Sequence, residues 1–436
     1  MLFWALTFRT TPAMIAEILS TGEEIRTGAL VDSNSASIAE QLEQAGVKVV
    51  RLNGVGDDLD QLTAVLKEIG SRADVAVVTG GLGPTVDDLS AQAAADAGGV
   101  GLFLDPSALA SIEAFFRQRN RPMNATIRKQ AIVPAGAEIL FNPVGTAPGF
   151  SLRIGRCLFF FLPGVPFEMQ RMLADHVLPK VCGLLGGRRE FRRVKTLSCF
   201  GLTESLTGER LAGLGEALPG IQLGLRAKFP EIQVKLYASG PDETRVSQKL
   251  EKASAWVRER LGDIVFSEAG EPLEAVVGRM LRERKATLAV AESCTGGLIS
   301  HLLTEVPGSS DYFLLAAVTY ANEAKTRLLG VAETTLAGLG AVHEDAAREM
   351  AAGVRRLAGA TYGLATSGIA GPAGGSAEKP VGTVCIGLST PGREFGYRFH
   401  YAYGRRSMNK QMFAMKAMDV LRRELRGLPH LPQMDR

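Results

Sequence analysis

Residues 74–83, DVAVVTGGLG, place an uninterrupted run of apolar side chains directly before a turn rich in glycine. A continuous apolar strand is typical of a parallel sheet whose two faces are both covered by helices. The surrounding sequence fits this interpretation, since strand patterns at 16–21 and 47–55 alternate with amphipathic helix patterns at 34–46 and 59–70. The stretch therefore predicts an α/β fold for the first part of the chain.

The pattern of strands and helices changes twice along the chain. Between about residues 185 and 265, strand and helix patterns indicate a small α+β module. Apolar strands and helices then alternate again, and the Met-rich helix pattern at 406–425 predicts a core-filling helix. A chain of 436 residues agrees with a prior of about three domains. We expect the domains at 14–182, 183–266 and 267–427.

The composition narrows the class of protein. Apolar residues make up 46% of the chain and the net charge is +3, a balance that argues against a dedicated nucleic-acid-binding protein. The five cysteines are odd in number and contain no C-x-x-C pair, which favours a reducing, cytoplasmic location. The apolar run at 157–167 is interrupted by Pro163 and is too short to span a membrane.

A second informative stretch is AESCTGG, residues 291–297, whose first residue ends the apolar run TLAVA at 287–291. Ser293 is predicted to lie at a strand-to-helix turn, because two glycines and the helix pattern LISHLL come next. Free N–H groups at a helix N-terminus favour negative charge. Ser293 is thus suited to attack a carbonyl whose oxyanion these groups would hold. The alternative is that Ser293 or Thr295 only caps the helix.

A serine nucleophile needs a base, and none of the five histidines lies in an obvious triad context. A lysine can act as base when burial lowers its pKa. Lys325 follows a strand pattern that ends at Tyr320, and the alternative is an ordinary surface lysine. The glycine-rich loop at 366–383 can present N–H groups to a carbonyl or anion, and GRR at 404–406 can add a cation.

In the first domain, three loops rich in glycine follow strands, at 54–58, 79–88 and 142–150. Ligands of open parallel sheets bind at the carboxyl ends of the strands. Glycine N–H groups can hold phosphate there, and the carboxylates of Asp57, Asp87 and Asp88 can hold a hard metal ion. The sequence therefore predicts a metal-assisted phosphate site.

The sequence resembles the CinA family (competence/damage-inducible protein A) from about residue 14 to residue 425. The resemblance is carried by VDSNSASIAEQL, TGGLGPTVDDL, NPVGTAPGF, LPGVPFEM, AESCTGGLIS, VTYANEAK, SGIAGPAGGSAEKPVGTV and GRR. It implies a three-layer first domain like the molybdopterin-binding fold and an α/β last domain like nicotinamide-nucleotide amidases.

The resemblance also implies an activity for the last domain. The family amidase converts nicotinamide mononucleotide and water to nicotinate mononucleotide and ammonia, without a cofactor. Its catalytic positions match Ser293, Lys325 and Tyr320. The substrate-binding residues we expect are Thr295, Gly296, Ser367, Gly368, Gly371 and Arg406.

For the first domain, the resemblance implies ADP-ribose hydrolysis with a divalent metal such as Mg, Mn or Co. The nucleotide site would comprise Gly22, Gly80, Gly81, Gly83, Thr85, Asp87, Asn142, Gly145 and Thr146, with Asp57 and Asp88 as metal ligands. We expect a homodimer that binds neither nucleic acid nor membrane. The alternative function is a pterin- or nucleotide-binding protein without catalysis, or a competence factor.

Overall fold

The computed structural model describes residues 14–186 and 191–431. The chain divides into two compact units at residues 193 and 194, with Ser239–Ser247 grouped with the first. Within the described residues, none of the helices is both long and apolar enough to cross a membrane.

The first unit is built on a six-stranded sheet with the order β2-β1-β3-β8-β7-β6. β1 pairs in parallel with β2 and β3, β3 pairs in parallel with β8, and β7 is antiparallel to its neighbours. The strands are β1 (Ile15–Thr21), β2 (Lys48–Val55), β3 (Val75–Thr79), β6 (Glu138–Leu140), β7 (Gly149–Ile154) and β8 (Cys157–Leu162), with β4 (Leu102–Leu104) and β5 (Ile132–Pro134) in a separate ribbon.

Both faces of the first sheet are buried, as predicted. Val75 and Val77 of β3 belong to one apolar core, whereas Ala76 and Val78 belong to a second core on the opposite face. This alternation confirms the three-layer α/β fold. The helices are α1 (Glu23–Arg26), α2 (Ser33–Gln44), α3 (Leu59–Arg72), α4 (Ser90–Gly98), α5 (Pro106–Gln118), α6 (Pro166–Met172) and α7 (Leu178–Leu185), with a π turn at Leu173–Val177 and a 3-10 helix at Ala125–Ala131.

The middle segment is a small α+β module with the strand order β10-β11-β9-β12. Its longest helix buries Val246, Leu250, Ala253 and Val257, a stripe with helical spacing that faces the module's core. The elements are β9 (Phe191–Cys199), α8 (Glu204–Arg210), α9 (Leu214–Ala217), β10 (Ile221–Lys228), β11 (Glu231–Gly240), α10 (Glu243–Leu261), a 3-10 turn (Gly262–Ile264) and β12 (Val265–Ser267).

The last domain has a five-stranded sheet with the order β14-β13-β15-β16-β17, in which β13 is parallel to β14 and β15. Its elements are α11 (Leu273–Glu283), β13 (Leu288–Glu292), α12 (Leu298–Thr304), β14 (Phe313–Val318), α13 (Asn322–Leu329), α14 (Glu333–Gly338), α15 (Glu344–Ala358), β15 (Tyr362–Gly368), β16 (Thr383–Ser389), β17 (Glu394–His400) and α16 (Arg406–Leu425), with a 3-10 turn at Ser309–Asp311.

The Met-rich helix α16 fills the core as predicted, with Met412, Met415 and Met418 all buried. The same core includes Phe200 and Phe266 of the middle module, so it crosses the predicted domain boundary at residue 266. Arg422 also donates from Nη2 to the carbonyl oxygen of Asp263 over 3.0 Å. The middle module and the last domain therefore share packing within the second compact unit.

Helix α15 lies directly on the backbone of the last sheet, because glycines occupy the contact points. A Cβ atom on Gly363, Gly387 or Gly396 would overlap a carbonyl oxygen of α15, such as that of Ala347 over Gly387. Backbone atoms cannot move aside as a side chain can, so this approach requires glycine.

We expect Gly387→Ala to lower the free energy of unfolding by about 1–3 kcal/mol, as overpacking of a core does. Gly392→Ala is the matched control, because a Cβ atom there meets nothing within 4 Å. Denaturant unfolding of both variants checks this. Equal stability of the two variants would contradict the close approach of α15.

Candidate active site

The turn that carries Ser293 connects the buried end of β13 to the start of α12. The Ser293 N–H donates to the carbonyl oxygen of Thr366 over 3.0 Å, and the Gly296 N–H donates to the carbonyl oxygen of Ser293 over 3.1 Å. Gly296 and Gly297 have φ angles of 59° and 90°, which favour glycine. The sequence therefore folds into a tight turn that leaves the Ser293 side chain half-buried at its start.

Glu292 holds this turn together. Its carboxylate is fully buried and accepts hydrogen bonds from the N–H groups of Gly297, Ile299 and Ser300 and from the Ser300 hydroxyl, at 2.6–3.2 Å. The N-cap residue of α12 is Gly297, which has no capping side chain. The capping alternative for Ser293 and Thr295 is thus wrong, because Glu292 satisfies the end of the helix and the Thr295 hydroxyl pairs with that of Thr366.

The side chain of Lys325 reaches Ser293 from α13. Its Nζ atom lies 3.3 Å from Ser293 Oγ, 2.8 Å from the carbonyl oxygen of Thr319 and 3.1 Å from that of Tyr320. Lys325 is only 1% exposed, so the surface-lysine alternative is wrong. A neutral amine has two N–H donors and one lone pair, and here two carbonyls and one hydroxyl surround it. This arrangement fits an amine whose lone pair accepts the Ser293 proton.

Burial also affects the ionisation of the groups around Ser293. It lowers the pKa of Lys325 from its ordinary value of 10.5, because no solvent stabilises the ammonium form. Burial raises the pKa of the neighbouring Cys294 thiol to about 12. Cys294 therefore stays a protonated thiol in the core, and the serine is the group placed beside a base.

Tyr320, Arg406 and the glycine-rich loop meet on one side of the site. Arg406 donates from Nη1 to the carbonyl oxygen of Gly371 over 2.8 Å and from Nη2 to the Tyr320 hydroxyl over 3.2 Å. The buried Asn409 amide donates to the carbonyl oxygens of Ala370 and Tyr403, each over 3.0 Å. The start of α16 thus fixes the loop next to the Tyr320 ring, which is 65% exposed.

Two of the expected substrate-binding side chains are buried. Thr295 is fully buried, and Ser367 is 1% exposed with its hydroxyl donating to the carbonyl oxygen of Ala341 over 2.6 Å. Gly368 lies against β16, since a Cβ atom there would be 2.5 Å from the carbonyl oxygen of Thr383. In this structure, the side chains of Thr295 and Ser367 position the loops around the site, whereas Gly296 and Arg406 are exposed.

In the first domain, the glycine turn after β3 borders a cavity of 220 Å³ that is lined by Gly81, Gly83, Asp88, Lys129 and Phe150, among others. The Asp88 carboxylate accepts from the N–H and hydroxyl of Thr85 at 2.7 and 2.6 Å. A Cβ atom on Gly80 would be 2.5 Å from the carbonyl oxygen of Thr21. Of the predicted residues, Gly81, Gly83 and Asp88 therefore line one cavity, and Gly80 lies in the same turn.

The other predicted residues of this domain form separate groups. Gly22, with a φ angle of 142°, starts the turn that includes Glu23. Burial, together with the nearby carboxylates of Glu24, Asp87 and Glu23, raises the pKa of Asp57. Asn142 accepts the N–H of Gly145 over 2.9 Å and donates to Glu168 over 2.7 Å, in the loop that continues to Thr146.

The acids of the first domain do not form a ready metal site. Across residues 14–186 and 191–431, no group of three or more histidine, cysteine, aspartate or glutamate residues is placed to hold a metal ion. The Asp88 carboxylate instead accepts two hydrogen bonds from Thr85. The residues present therefore do not fit a divalent ion as they stand, and the metal requirement stays a prediction.

Two residues that organise the site, Glu292 and Asn409, were not predicted from the sequence. Glu292 ends an apolar strand, and a lone acid at such a place is a signal that a buried carboxylate has local N–H partners. Asn409 lies inside a helix pattern, where nothing in the sequence distinguishes it from a surface residue. Its contacts with Ala370 and Tyr403 depend on the loops that the fold brings to α16.

Comparison with known proteins assigns each part of the chain to a family profile. Residues 17–182 match a probable molybdopterin binding domain. Residues 194–267 match the damage-inducible protein CinA KH domain, and residues 270–425 match the CinA C-terminal domain.

Similar proteins extend over nearly the whole chain. A CinA-like protein of Desulfosudis oleivorans is 53% identical over 412 residues, which cover 94% of this chain and 100% of that protein. A CinA-like protein of Geobacter metallireducens is 46% identical over 412 residues, covering 94% and 99%. Among solved structures, a CinA superfamily protein from Klebsiella pneumoniae is 34% identical, with 36% and 96% coverage and a TM-score of 0.35. These near-full-length relatives show that the chain belongs to the CinA family and carries a molybdopterin-binding-like domain at its N-terminal end.

Proposed function

We propose that the last domain is an amidase that converts nicotinamide mononucleotide and water to nicotinate mononucleotide and ammonia. The observation that carries this proposal is the placement of Lys325 Nζ, 3.3 Å from Ser293 Oγ and held by two backbone carbonyls. A buried amine beside a hydroxyl is the arrangement that a serine nucleophile with a lysine base requires. The carboxamide substrate comes from the family resemblance.

The acylation half-reaction follows from the contacts of Ser293. The Lys325 amine takes the Ser293 proton as Oγ attacks the carboxamide carbon, which forms a tetrahedral oxyanion. The N–H groups of Ser293 and Gly296 are already used, so those of Cys294 and Thr295 are the donors proposed for the oxyanion. The Lys325 ammonium then protonates the leaving nitrogen, ammonia departs, and an ester to Ser293 remains.

The deacylation half-reaction uses the same base. Lys325 takes a proton from water as the water oxygen attacks the ester carbon, and a second tetrahedral oxyanion forms. Its collapse breaks the bond to Ser293 Oγ, which regains a proton from Lys325. The acid product leaves as nicotinate mononucleotide. The Arg406–Tyr320 contact lies at one side of the site, where we propose that it orients the ring that bears the carboxamide.

A second proposal concerns the first domain, where the cavity of 220 Å³ beside the glycine turn favours a ligand site. We propose that this cavity and turn bind ADP-ribose, with N–H groups of the turn directed to its pyrophosphate. Hydrolysis would need the divalent metal that the family resemblance implies, and the acids as placed supply no preformed site for it. The alternative for the whole chain is a nucleotide-binding protein without catalysis, and the contact between Ser293 and the buried Lys325 argues against it.

Ser293→Ala should reduce ammonia release from nicotinamide mononucleotide by about a thousandfold or more, since it removes a covalent nucleophile. Cys294→Ala is the matched control at the neighbouring position. We expect it to keep most of the activity, because the thiol has a raised pKa and is buried. An ammonia assay on both variants checks this, and loss of activity only in Cys294→Ala would contradict the role of Ser293.

Activity should rise with pH through an apparent pKa below 10.5, because burial lowers the pKa of Lys325 and only its neutral form accepts the Ser293 proton. The measurement is the pH dependence of kcat/KM. Lys325→Met should abolish turnover, whereas Arg327→Met on the exposed face of the same helix should not. Wild-type turnover by folded Lys325→Met protein would show that Lys325 is not the base.

ADP-ribose should bind the first domain, and Asp88→Asn should weaken its binding about tenfold, because both Thr85 donors bond to one oxygen of the Asp88 carboxylate and lose that charged acceptor. Calorimetry with and without Mg²⁺ measures this, with Asp60→Asn as an exposed control. Amidase activity should be unchanged in both variants. If the amidase is active but ADP-ribose gives no heat under either condition, the first domain does not bind this ligand.

A further inference from the structure

Lys410 lies on α16 one turn after Arg406 and points to the turn that carries the nucleophile. Its Nζ atom is 3.6 Å from the position that a Cβ atom on Gly296 would occupy. Gly296 itself is bonded through its N–H to the carbonyl oxygen of Ser293. The half-buried Lys410 ammonium therefore lies next to the active site and not in open solvent.

The charge of Lys410 has no counter-ion in the part of the chain that the structure describes. No salt bridge or hydrogen bond joins its side chain to another described residue. The first turn of α16 contains no acidic residue, and the nearby Glu292 carboxylate is already used by its four donors. Among the residues that the structure describes, Arg406 bonds only to the neutral oxygens of Gly371 and Tyr320.

The position of Lys410 does not stabilise the folded protein. A half-buried cation without a partner loses hydration and gains no compensating charge contact. This unfavourable effect is reversed when an anion binds between Lys410 and the turn. An ammonium on a long, flexible side chain is a suitable point-charge partner for a phosphate group.

We propose that Lys410 binds the phosphate of the mononucleotide and so makes the amidase specific for a nucleotide over the corresponding nucleoside. This inference rests on the proposed amidase function. The carboxamide and the phosphate are at opposite ends of the substrate. Ser293 and Lys325 act on the carboxamide end, so the phosphate is held by a side chain from another element, and Lys410 on α16 is that side chain.

The test uses the full-length chain with Ser293→Ala, so that binding is measured without turnover. Calorimetry gives the affinities for nicotinamide mononucleotide and for nicotinamide riboside, which lacks the phosphate. We expect the nucleotide to bind about tenfold or more tightly, the size of one hydrogen-bonded charge contact. Adding Lys410→Met should bring the nucleotide down to the affinity of the riboside and leave the riboside unchanged.

Lys410→Arg should keep at least part of the preference, and Lys252→Met on the exposed face of α10 is the control that should change neither affinity. In protein with Ser293 intact, Lys410→Met should raise KM and leave kcat nearly unchanged. Equal affinity of the two ligands for the Lys410 protein would overturn the inference. So would an equal loss for both ligands in Lys410→Met, since Lys410 would then serve the carboxamide end.

The two proposals fail in different ways. If the protein with Ser293 intact releases no ammonia from the nucleotide, the amidase proposal is wrong, while the ratio of the two affinities still reports on Lys410. If ammonia is released and Lys410→Met leaves that ratio unchanged, only the role of Lys410 is wrong.

Discussion

The site in the second compact unit depends on the hydrogen bonds that one buried carboxylate accepts. Glu292 ends β13 without solvent and, among the described residues, without a lysine or arginine partner, so its charge must be met by local donors. The chain must reverse its direction directly after Glu292 to bring the N–H groups of residues 297, 299 and 300 to this carboxylate. The tight glycine turn, the position of Ser293 and the start of α12 all follow from this requirement.

The first and last domains share one architectural feature but differ in the side chains around it. In each, an apolar parallel strand ends in a glycine turn, where backbone N–H groups become available to a ligand. The last domain adds a buried amine beside a hydroxyl, the pair on which the proposed amidase reaction depends. In the first domain, burial raises the pKa of Asp57, and the nearby carboxylates of Glu24, Asp87 and Glu23 add to this effect. The architecture of the first domain is therefore better suited to binding a ligand through backbone N–H groups than to catalysis by its side chains alone.

Local sequence patterns predicted much of this structure. Apolar strands, glycine turns and the Met-rich helix are signals within short windows, and they predicted the layers and the turn at Ser293. What the sequence did not reveal depends on contacts between distant segments. The helix pattern begins at Asn34, but Asp32 is the N-cap of α2, and Asn34 donates to Thr79 and to the carbonyl oxygen of Gly164. The burial of Lys325 likewise depends on carbonyls at the end of a neighbouring strand, which no helix pattern encodes.

The burial of Lys325 has a consequence for the balance between stability and activity. A lysine whose pKa is lower in the folded than in the unfolded chain releases a proton on folding at pH values between those two pKa values. Between these two pKa values, the free energy of unfolding increases as the pH rises. Below the lower of them, Lys325 is protonated in both states, and burial of its ammonium destabilises the folded state in full. Lys325 thus destabilises the folded chain at low pH, a cost that selection for thermal stability alone would remove and that the proposed catalytic role would explain.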